Sequence, residues 1–246
     1  IPYKRGWKRW HYITGLIFGV FLVWWSISGI FSMSRVPQWI VPTKAEFTFN
    51  TSRLWGKGVL PLETYQLDYR KLQEVYPDLK KIDWVRFADI PAYRIIEGEN
   101  ERYIDASGTE VVALNVPQKI IEEGFRKIHG NDSKMTVTVL EKYDNYYLNL
   151  RRTLELPVYK VEFDDDDHNL YYVNPRDGYI RYLNKNKIVD KWLFSAIHYL
   201  NMGWLVNRPW LWTFCLWFLC IGCGIVCFTG VVLGVKTWLI RKKKKS

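Results

Sequence analysis

The chain has 246 residues, with 35 Lys and Arg against 25 Asp and Glu, and its formal net charge is +10. All the acidic residues lie between Glu46 and Asp190, where basic residues nearly balance them, so the surplus positive charge lies towards the two ends. This charge brackets two apolar runs, whereas a nucleic-acid-binding domain spreads it over a polar face. We therefore expect no nucleic-acid partner.

The two apolar runs, residues 12–34 and 209–235, contain no charged side chain and are rich in Leu, Ile, Val, Phe and Trp. A helix needs roughly 20 apolar residues to cross a hydrocarbon core of about 30 Å. The first run also exceeds the roughly 7–15 apolar residues of a secretory signal peptide. The sequence therefore predicts two transmembrane helices in a lipid bilayer.

Basic residues flank the far ends of both predicted spans, and the near ends carry only Arg35 and Arg208. Because Lys and Arg collect on the cytoplasmic side of a membrane, we expect residues 1–11 and 236–246 to be cytoplasmic and the region between the spans to lie outside. The flanking residues are Lys4, Arg5, Lys8 and Arg9 at one end, and Lys236, Arg241, Lys242, Lys243, Lys244 and Lys245 at the other.

All four cysteines lie in the second span, so the outer region must fold on a hydrophobic core without disulfides. Cys220 and Cys223 form a C-x-x-C pair, which is a redox or metal motif where a thiolate is accessible. Apolar surroundings favour the alternative, that these cysteines are small packing residues. Glycines such as Gly15, Gly19 and Gly222 predict close packing of the spans, either with each other or in a dimer.

The outer region contains an internal repeat. One segment runs from Pro91 through a charged tip to a turn at residues 105–108, and the other runs from Pro157 through an acidic tip to a turn at residues 174–178. Each reads as a strand, a polar hairpin tip, a second strand and a turn that ends in Gly. The second tip is three residues longer than the first.

A helical pattern precedes each hairpin, at residues 67–76 and at residues 117–129, where Pro117 suits a first helical turn. Residues 135–140 and 146–150 alternate as strands do. The predicted fold class is therefore α+β, with two small antiparallel sheets that each have a helix across one face.

The order of these features resembles the PepSY-associated transmembrane family. The turn Tyr172-Val173-Asn174-Pro175-Arg176-Asp177-Gly178 is similar to the end of a PepSY module, and His11, Gly15, Ser28 and Gly29 are similar to the family's first span. Residues 193–200 are similar to the family's His-bearing helix before the next span. The resemblance implies tandem PepSY-like modules at 35–115 and 116–187, an amphipathic interfacial helix at 188–207, and a bacterial inner membrane with the modules in the periplasm.

Some members of this family are haem proteins that reduce ferric siderophores, with histidines of the spans as axial ligands. By resemblance, haem b is the implied cofactor, and His11 and His198 are the cofactor-binding candidates. They belong to opposite membrane edges, so one chain cannot bring both to one iron. A haem then requires a second copy of the chain or a partner subunit. The chain also departs from the reductase members of the family, which have more than two spans. Without haem, His11 is an interfacial residue and His198 a polar residue of an amphipathic helix.

Other candidate chemistry is weaker. The acidic tip at residues 164–167, with His168, suits a hard cation, but alternating strand residues make a poor cage and we expect a solvated tip. His129 is typical of a helix end. The sequence shows no motif of a hydrolase or a nucleotide-dependent enzyme.

Two functions follow from the sequence. The first is a b-haem electron-transfer component of iron or siderophore uptake, which acts as a homodimer or with other membrane subunits. The second is a non-catalytic accessory or binding subunit, whose outer domain docks on a partner protein as PepSY modules of propeptides contact proteases.

Overall fold

The computed structural model describes residues 5–33, 36–46, 48–148, 150 and 153–245. These residues form two compact units. The helical unit comprises the described residues of 1–42, 144–152 and 187–246, and the two-sheet unit comprises those of 43–143 and 153–186. The observed fold class is α+β, as the sequence predicts.

The helical unit is built on two long apolar helices, α1 (Trp7–Met33) and α7 (Pro209–Lys245). Both are long and apolar enough to cross a membrane, and most of their apolar surface is exposed. A helix that is apolar on nearly every face suits a lipid environment, because its backbone groups are satisfied internally. This agrees with the predicted spans at residues 12–34 and 209–235.

The two long helices pack against each other along Phe18, Leu219 and Cys223. The Cys223 thiol contacts the Phe18 carbonyl oxygen at 3.7 Å, which makes this cysteine a packing residue. A Cβ built on Gly222 would collide with the Phe18 ring, so α7 approaches α1 closely at that point. Gly15 and Gly19 have no neighbour within 4 Å of an ideal Cβ and take no part in this contact.

The basic flanks of the two helices lie at the same end of the pair. The Trp7 ring meets Phe228 edge to face at 5.9 Å, and the Lys236 ammonium lies 5.8 Å from the Trp7 ring centroid. The start of α1 therefore contacts the end of α7, and the helices run antiparallel. This placement is what two spans with both basic flanks on one side of a bilayer require.

The segment before α7 is interrupted, whereas the sequence predicts one amphipathic helix over residues 188–207. It consists of α5 (Lys185–Asp190), a π-helical stretch (Lys191–Ala196), a break at Leu200 and the short α6 (Gly203–Val206). Leu200 has a φ of 52°, which a helix cannot accommodate. The π-helical stretch rotates the side chains that follow it relative to their positions in an unbroken α-helix. The apolar face of the predicted amphipathic helix is therefore not continuous.

Residues 146–150 do not form the predicted strand in their described part. The Asp144 side chain accepts hydrogen bonds from the backbone N–H groups of Tyr146 and Tyr147 and turns the chain locally. Asn145 accepts a hydrogen bond from the Gly203 backbone, which joins this segment to the helical unit. Tyr147 and Leu148 are buried in this turn. Their burial explains the apolar residues that resemble the alternation of a strand in the sequence.

The two-sheet unit holds two four-stranded antiparallel sheets with strand orders β1-β2-β3-β4 and β5-β6-β7-β8. Each sheet is preceded by a helix, α3 (Arg70–Val75) or α4 (Gln118–His129), and a short α2 (Ser52–Trp55) comes before both. The strands are β1 Leu79–Phe87, β2 Ile90–Glu97, β3 Asn100–Asp105, β4 Val112–Ala113, β5 Met135–Leu140, β6 Val158–Phe163, β7 Leu170–Val173 and β8 Ile180–Leu183.

The internal repeat is present in the strand register. Tyr93 of β2 pairs with Ile104, one residue before Asp105, and Tyr159 of β6 pairs with Val173, one residue before Asn174. The extra residues of the second repeat lie in the β6–β7 tip. Pro117 directly precedes α4 with an extended ψ of 144°, so it caps the helix and does not belong to its first turn.

Each helix covers a face of its own sheet. Leu72 of α3 packs with Tyr93, Ile95 and Ile104 of the first sheet. Ile121 and Phe125 of α4 pack with the second sheet in a larger core, which also includes Trp55 and Phe87. Since all these apolar side chains are buried, the two sheets fold on hydrophobic cores without disulfides, as the cysteine distribution predicts.

The α1–α7 contact makes a prediction about two glycines of one helix. Gly222→Val inserts methyl groups against the Phe18 ring, and overpacking of this kind costs about 1–3 kcal/mol. We expect a lower thermal midpoint for the detergent-solubilised protein, measured by size-exclusion chromatography after heating. Gly224→Val is the matched control, because its new side chain meets nothing within 4 Å. Equal decreases in the thermal midpoint of both variants would contradict the close packing of Gly222 on Phe18.

Candidate functional site

His11 is held at one end of the helix pair by Thr229. The His11 Nδ1 atom lies 2.9 Å from the Thr229 hydroxyl oxygen. That hydroxyl donates its only proton to the α7 backbone, to the carbonyl oxygens of Ile225 at 2.8 Å and Val226 at 3.0 Å. The hydroxyl therefore accepts a hydrogen bond from His11 Nδ1–H.

His198 is held at the other end by Ser28, in the same manner. The His198 Nδ1 atom lies 3.1 Å from the Ser28 hydroxyl oxygen, and that hydroxyl donates to the Trp25 carbonyl oxygen at 3.1 Å. Ser28 is almost fully buried, with 1% of its surface exposed. The Trp25 indole N–H also donates to the Ile197 carbonyl oxygen at 3.1 Å, so α1 makes two hydrogen bonds to residues 197–198.

These contacts suit one tautomer of each imidazole. In a neutral ring whose Nδ1–H donates to the hydroxyl, the lone pair is on Nε2. Metal-ligating histidines in proteins commonly have this arrangement, with one ring nitrogen hydrogen-bonded and the other bound to the metal. Either ring can therefore act as a single ligand through Nε2.

The surroundings of His198 differ from those of His11. The ring of His198 lies among the rings of Phe194 at 5.1 Å, Tyr199 at 5.3 Å and Trp25 at 6.3 Å. His198 lies two residues after the end of the π-helical stretch, a conformation that is frequent at functional sites.

An unsatisfied acceptor lies close by in the sequence. The side-chain oxygen of Asn201, three residues after His198, is buried and has no hydrogen-bond partner in the part of the chain that the structure describes. A buried acceptor without a donor costs about 1–3 kcal/mol, which a donor from outside the chain would recover.

The two histidines are far apart along α1. His11 and the Ser28 partner of His198 are separated by 17 residues of one helix, or about 26 Å. A single haem iron needs both axial ligands within its coordination sphere, so His11 and His198 of one chain cannot share it. The structure agrees here with the separation expected from the sequence.

The imidazoles of His11 and His198 meet some of the requirements of a haem site. Each end of the pair offers one imidazole with its Nδ1–H held and its Nε2 lone pair available, which suits one axial ligand. Gly230 leaves room beside the His11 ring, because a Cβ there would lie 3.3 Å from His11 Cε1. If haem binds at either end, a second ligand to its iron would have to come from another copy or a partner.

The acidic tip is solvated at Asp164, Asp166 and His168, as expected, but Asp167 is buried. Asp167 is 8% exposed and accepts hydrogen bonds from the Lys44 backbone at 3.1 Å and from the Lys185 ammonium at 3.2 Å. Burial raises the pKa of Asp167, but the hydrogen bonds from Thr43, Lys185 and Lys44 outweigh it and hold the pKa below its usual value. Among the described residues, no three His, Cys, Asp or Glu side chains are grouped to hold a metal ion.

His129 lies at the end of α4, as expected, and its ring also makes specific contacts with the second sheet. Its ring stacks on Phe163 at 4.1 Å, and its Nε2 atom lies 2.9 Å from the Tyr171 hydroxyl. Burial lowers the pKa of His129; the negative charge of Asp165 opposes this, and the positive charge of Arg53 adds to it. The half-buried ring therefore packs against the second sheet, and its surroundings favour the neutral form.

Sequence reasoning missed the partners of the site. In the sequence, Ser28 stands out only through the family resemblance, and Thr229 and Asn201 are not singled out. The hydrogen bonds join residues 170 and 218 positions apart, because α1 packs on the segment before α7 at His198 and on α7 itself at Thr229. A hydroxyl residue within an apolar span was the one available signal, since it needs a partner in lipid.

Comparison with protein-family models, with curated proteins and with solved structures finds no match for this chain.

The half-buried His129 makes the stability of the two-sheet unit depend on pH. Its folded pKa lies below the unfolded value of about 6.5, so its contribution is fully present above pH 6.5 and is lost as the pH falls towards the folded pKa. The unfolding free energy should fall by up to about 1.4 kcal/mol per pH unit within that window.

Urea unfolding of the full chain in detergent, followed by circular dichroism, measures this effect. His129→Gln keeps a polar group for Tyr171 and should remove the His129 part of the slope. His168→Asn is the control, since His168 is exposed and Asn tolerates its φ of 48°. Identical slopes for wild type and His129→Gln would show that the ring is not buried as a neutral group.

Proposed function

We propose that this protein is a membrane-embedded electron-transfer component that binds haem b through His198, with His11 as the ligand of a second site. The observation that carries the proposal is the Ser28 hydrogen bond to His198, which holds Nδ1–H and leaves the Nε2 lone pair available. The buried side-chain oxygen of Asn201 and the adjacent π-helical stretch support a ligand at the same end.

The second axial ligand comes from outside the chain in this proposal. Each end of the helix pair carries one imidazole, so a homodimer or a partner subunit has to supply the other. A homodimer does this with the same histidine, because a two-fold axis along the membrane normal places the two copies of His198 at the same depth.

The resemblance to PepSY-associated transmembrane proteins supports the wider assignment. The repeated helix and four-stranded sheet support two tandem PepSY-like modules, and the basic flanks at one end of the helix pair support cytoplasmic termini. On this basis we propose a bacterial inner-membrane protein with its two-sheet unit in the periplasm, acting in iron or siderophore uptake.

The chain's own residues would contribute orientation and electrostatics. Haem, when bound, accepts and releases a single electron. The hydrogen bond from His198 to Ser28 orients the imidazole and increases its basicity towards a ligand on Nε2. The apolar faces of α1 and α7 exclude water, which strengthens every electrostatic interaction in the site.

Haem binding predicts a visible spectrum. Protein purified in detergent from haem-replete cells should show a Soret band that shifts on reduction with dithionite. His198→Ala should bleach most of it, and His11→Ala should remove a smaller part. A colourless wild-type preparation, with the α1–α7 pair intact by circular dichroism, would refute the haem proposal.

The Ser28 hydroxyl can be tested separately from the ligand. Ser28→Ala removes the hydrogen-bond acceptor of His198 and should weaken haem binding by about 10- to 100-fold in a titration of apoprotein. Ser26→Ala is the matched control, because the Ser26 hydroxyl is exposed and bonds only to the Leu22 carbonyl in the described structure. If both variants bind haem as the wild type does, Ser28 does not support a ligand.

A second candidate function is a non-catalytic accessory subunit whose two-sheet unit docks on a partner protein. The single imidazole at each end of the helix pair favours it, because the chain alone does not complete a haem site. Gentle extraction from native membranes distinguishes the two. A colourless stoichiometric complex with a larger protein would indicate the accessory role, and a coloured dimer would indicate electron transfer.

A further inference from the structure

The two-sheet unit contains a pocket of about 180 Å³ beside the second sheet, and neither His11 nor His198 lines it. Residues 44–46, 48 and 49 form one wall, and the end of α4 and strands β7 and β8 form the others. At roughly 30 Å³ for each water of liquid, this space holds about six waters, or one small organic molecule.

The floor of the pocket is aromatic and rigid. Tyr171 and Tyr182 stack at 4.9 Å with an interplanar angle of 22°, and Phe49 meets Tyr171 edge to face at 5.0 Å. The Tyr182 hydroxyl donates to the Asn169 side chain at 2.7 Å. These contacts are made within the protein, so the floor is preformed for an apolar or aromatic skeleton.

Some charged residues at the pocket have an ion-pair partner within the described structure and others do not. Asp167 is neutralised by Lys185, 3.2 Å away. The exposed side chains of Lys44, Arg53 and Glu46 have no ion-pair partner within 4 Å among the described residues. Two cations and one carboxylate therefore remain unpaired, and Arg53 lies near enough to His129 for its charge to act on that ring.

We propose that this pocket binds a small organic carboxylate, with its charged end at Arg53 and Lys44 and its carbon skeleton on the aromatic floor. A guanidinium with no internal partner offers a carboxylate two parallel hydrogen bonds. The aromatic rings supply apolar contact area without the entropy cost of ordering flexible side chains. Nothing in this inference depends on haem, and the site is independent of the proposed electron transfer.

Benzoate is a suitable probe, with benzamide as its neutral counterpart of the same shape and benzylamine as the cationic one. Saturation-transfer NMR titrations of the full chain in detergent should show benzoate binding at least about tenfold more tightly than benzamide or benzylamine. Arg53→Gln should weaken benzoate binding about tenfold or more and leave benzamide unchanged. Lys44→Gln should act in the same direction.

Arg70→Gln is the matched control, because Arg70 is another exposed arginine of a short helix and does not line the pocket. Unchanged benzoate binding in Arg53→Gln would overturn the proposal, as would preferential binding of benzylamine, which would assign the pocket to a cation at Glu46. Absence of benzoate binding at millimolar concentrations would also overturn it. The Soret band of the same samples reports on haem separately.

Discussion

A polar side chain in a hydrocarbon environment is stable only if its hydrogen-bonding atoms find partners within the protein. In this chain the requirement applies to two imidazoles, and each is matched by a hydroxyl of a long apolar helix, His11 by Thr229 and His198 by Ser28. Thr229 binds His11 across the α1–α7 contact, so the packing of these helices and the orientation of the His11 ring depend on each other. Ser28 of α1 binds His198 of the segment before α7, so the orientation of that ring depends on how this segment packs on α1.

The two repeats of the two-sheet unit have the same strand register but have diverged at their tips. The longer β6–β7 tip supplies Asp167, which binds the Lys44 backbone and so holds the preceding segment beside the second sheet. The shorter tip of the first sheet, Gly98 and Glu99, offers no such carboxylate. The added residues of the second tip thus contribute to the pocket beside the second sheet, and this surface has no direct counterpart at the shorter first tip.

Much of the fold could be predicted because its signals are local. Apolar runs indicate α1 and α7, and paired alternation around polar tips indicates the hairpins β2–β3 and β6–β7. The strand predicted at residues 146–150 is wrong because an Asp144 turn imitates the alternation of a strand. The candidate histidines could be named from the sequence, but their hydroxyl partners could not, since these pairings depend on how α1 packs on α7 and on the segment before it, which local patterns do not define.

The two ends of the helix pair are not equivalent. Lys236 and Trp7 surround the His11 end with positive charge and interfacial aromatic rings, which suits contact with lipid headgroups. The His198 end has the interrupted helix, the aromatic rings around the imidazole and the buried oxygen of Asn201. A helix break and an unmatched acceptor both cost free energy, and neither improves the packing of α1 on α7. Among the described residues both features lie near His198, which supports the proposal that this end of the helix pair meets a ligand or a second protein.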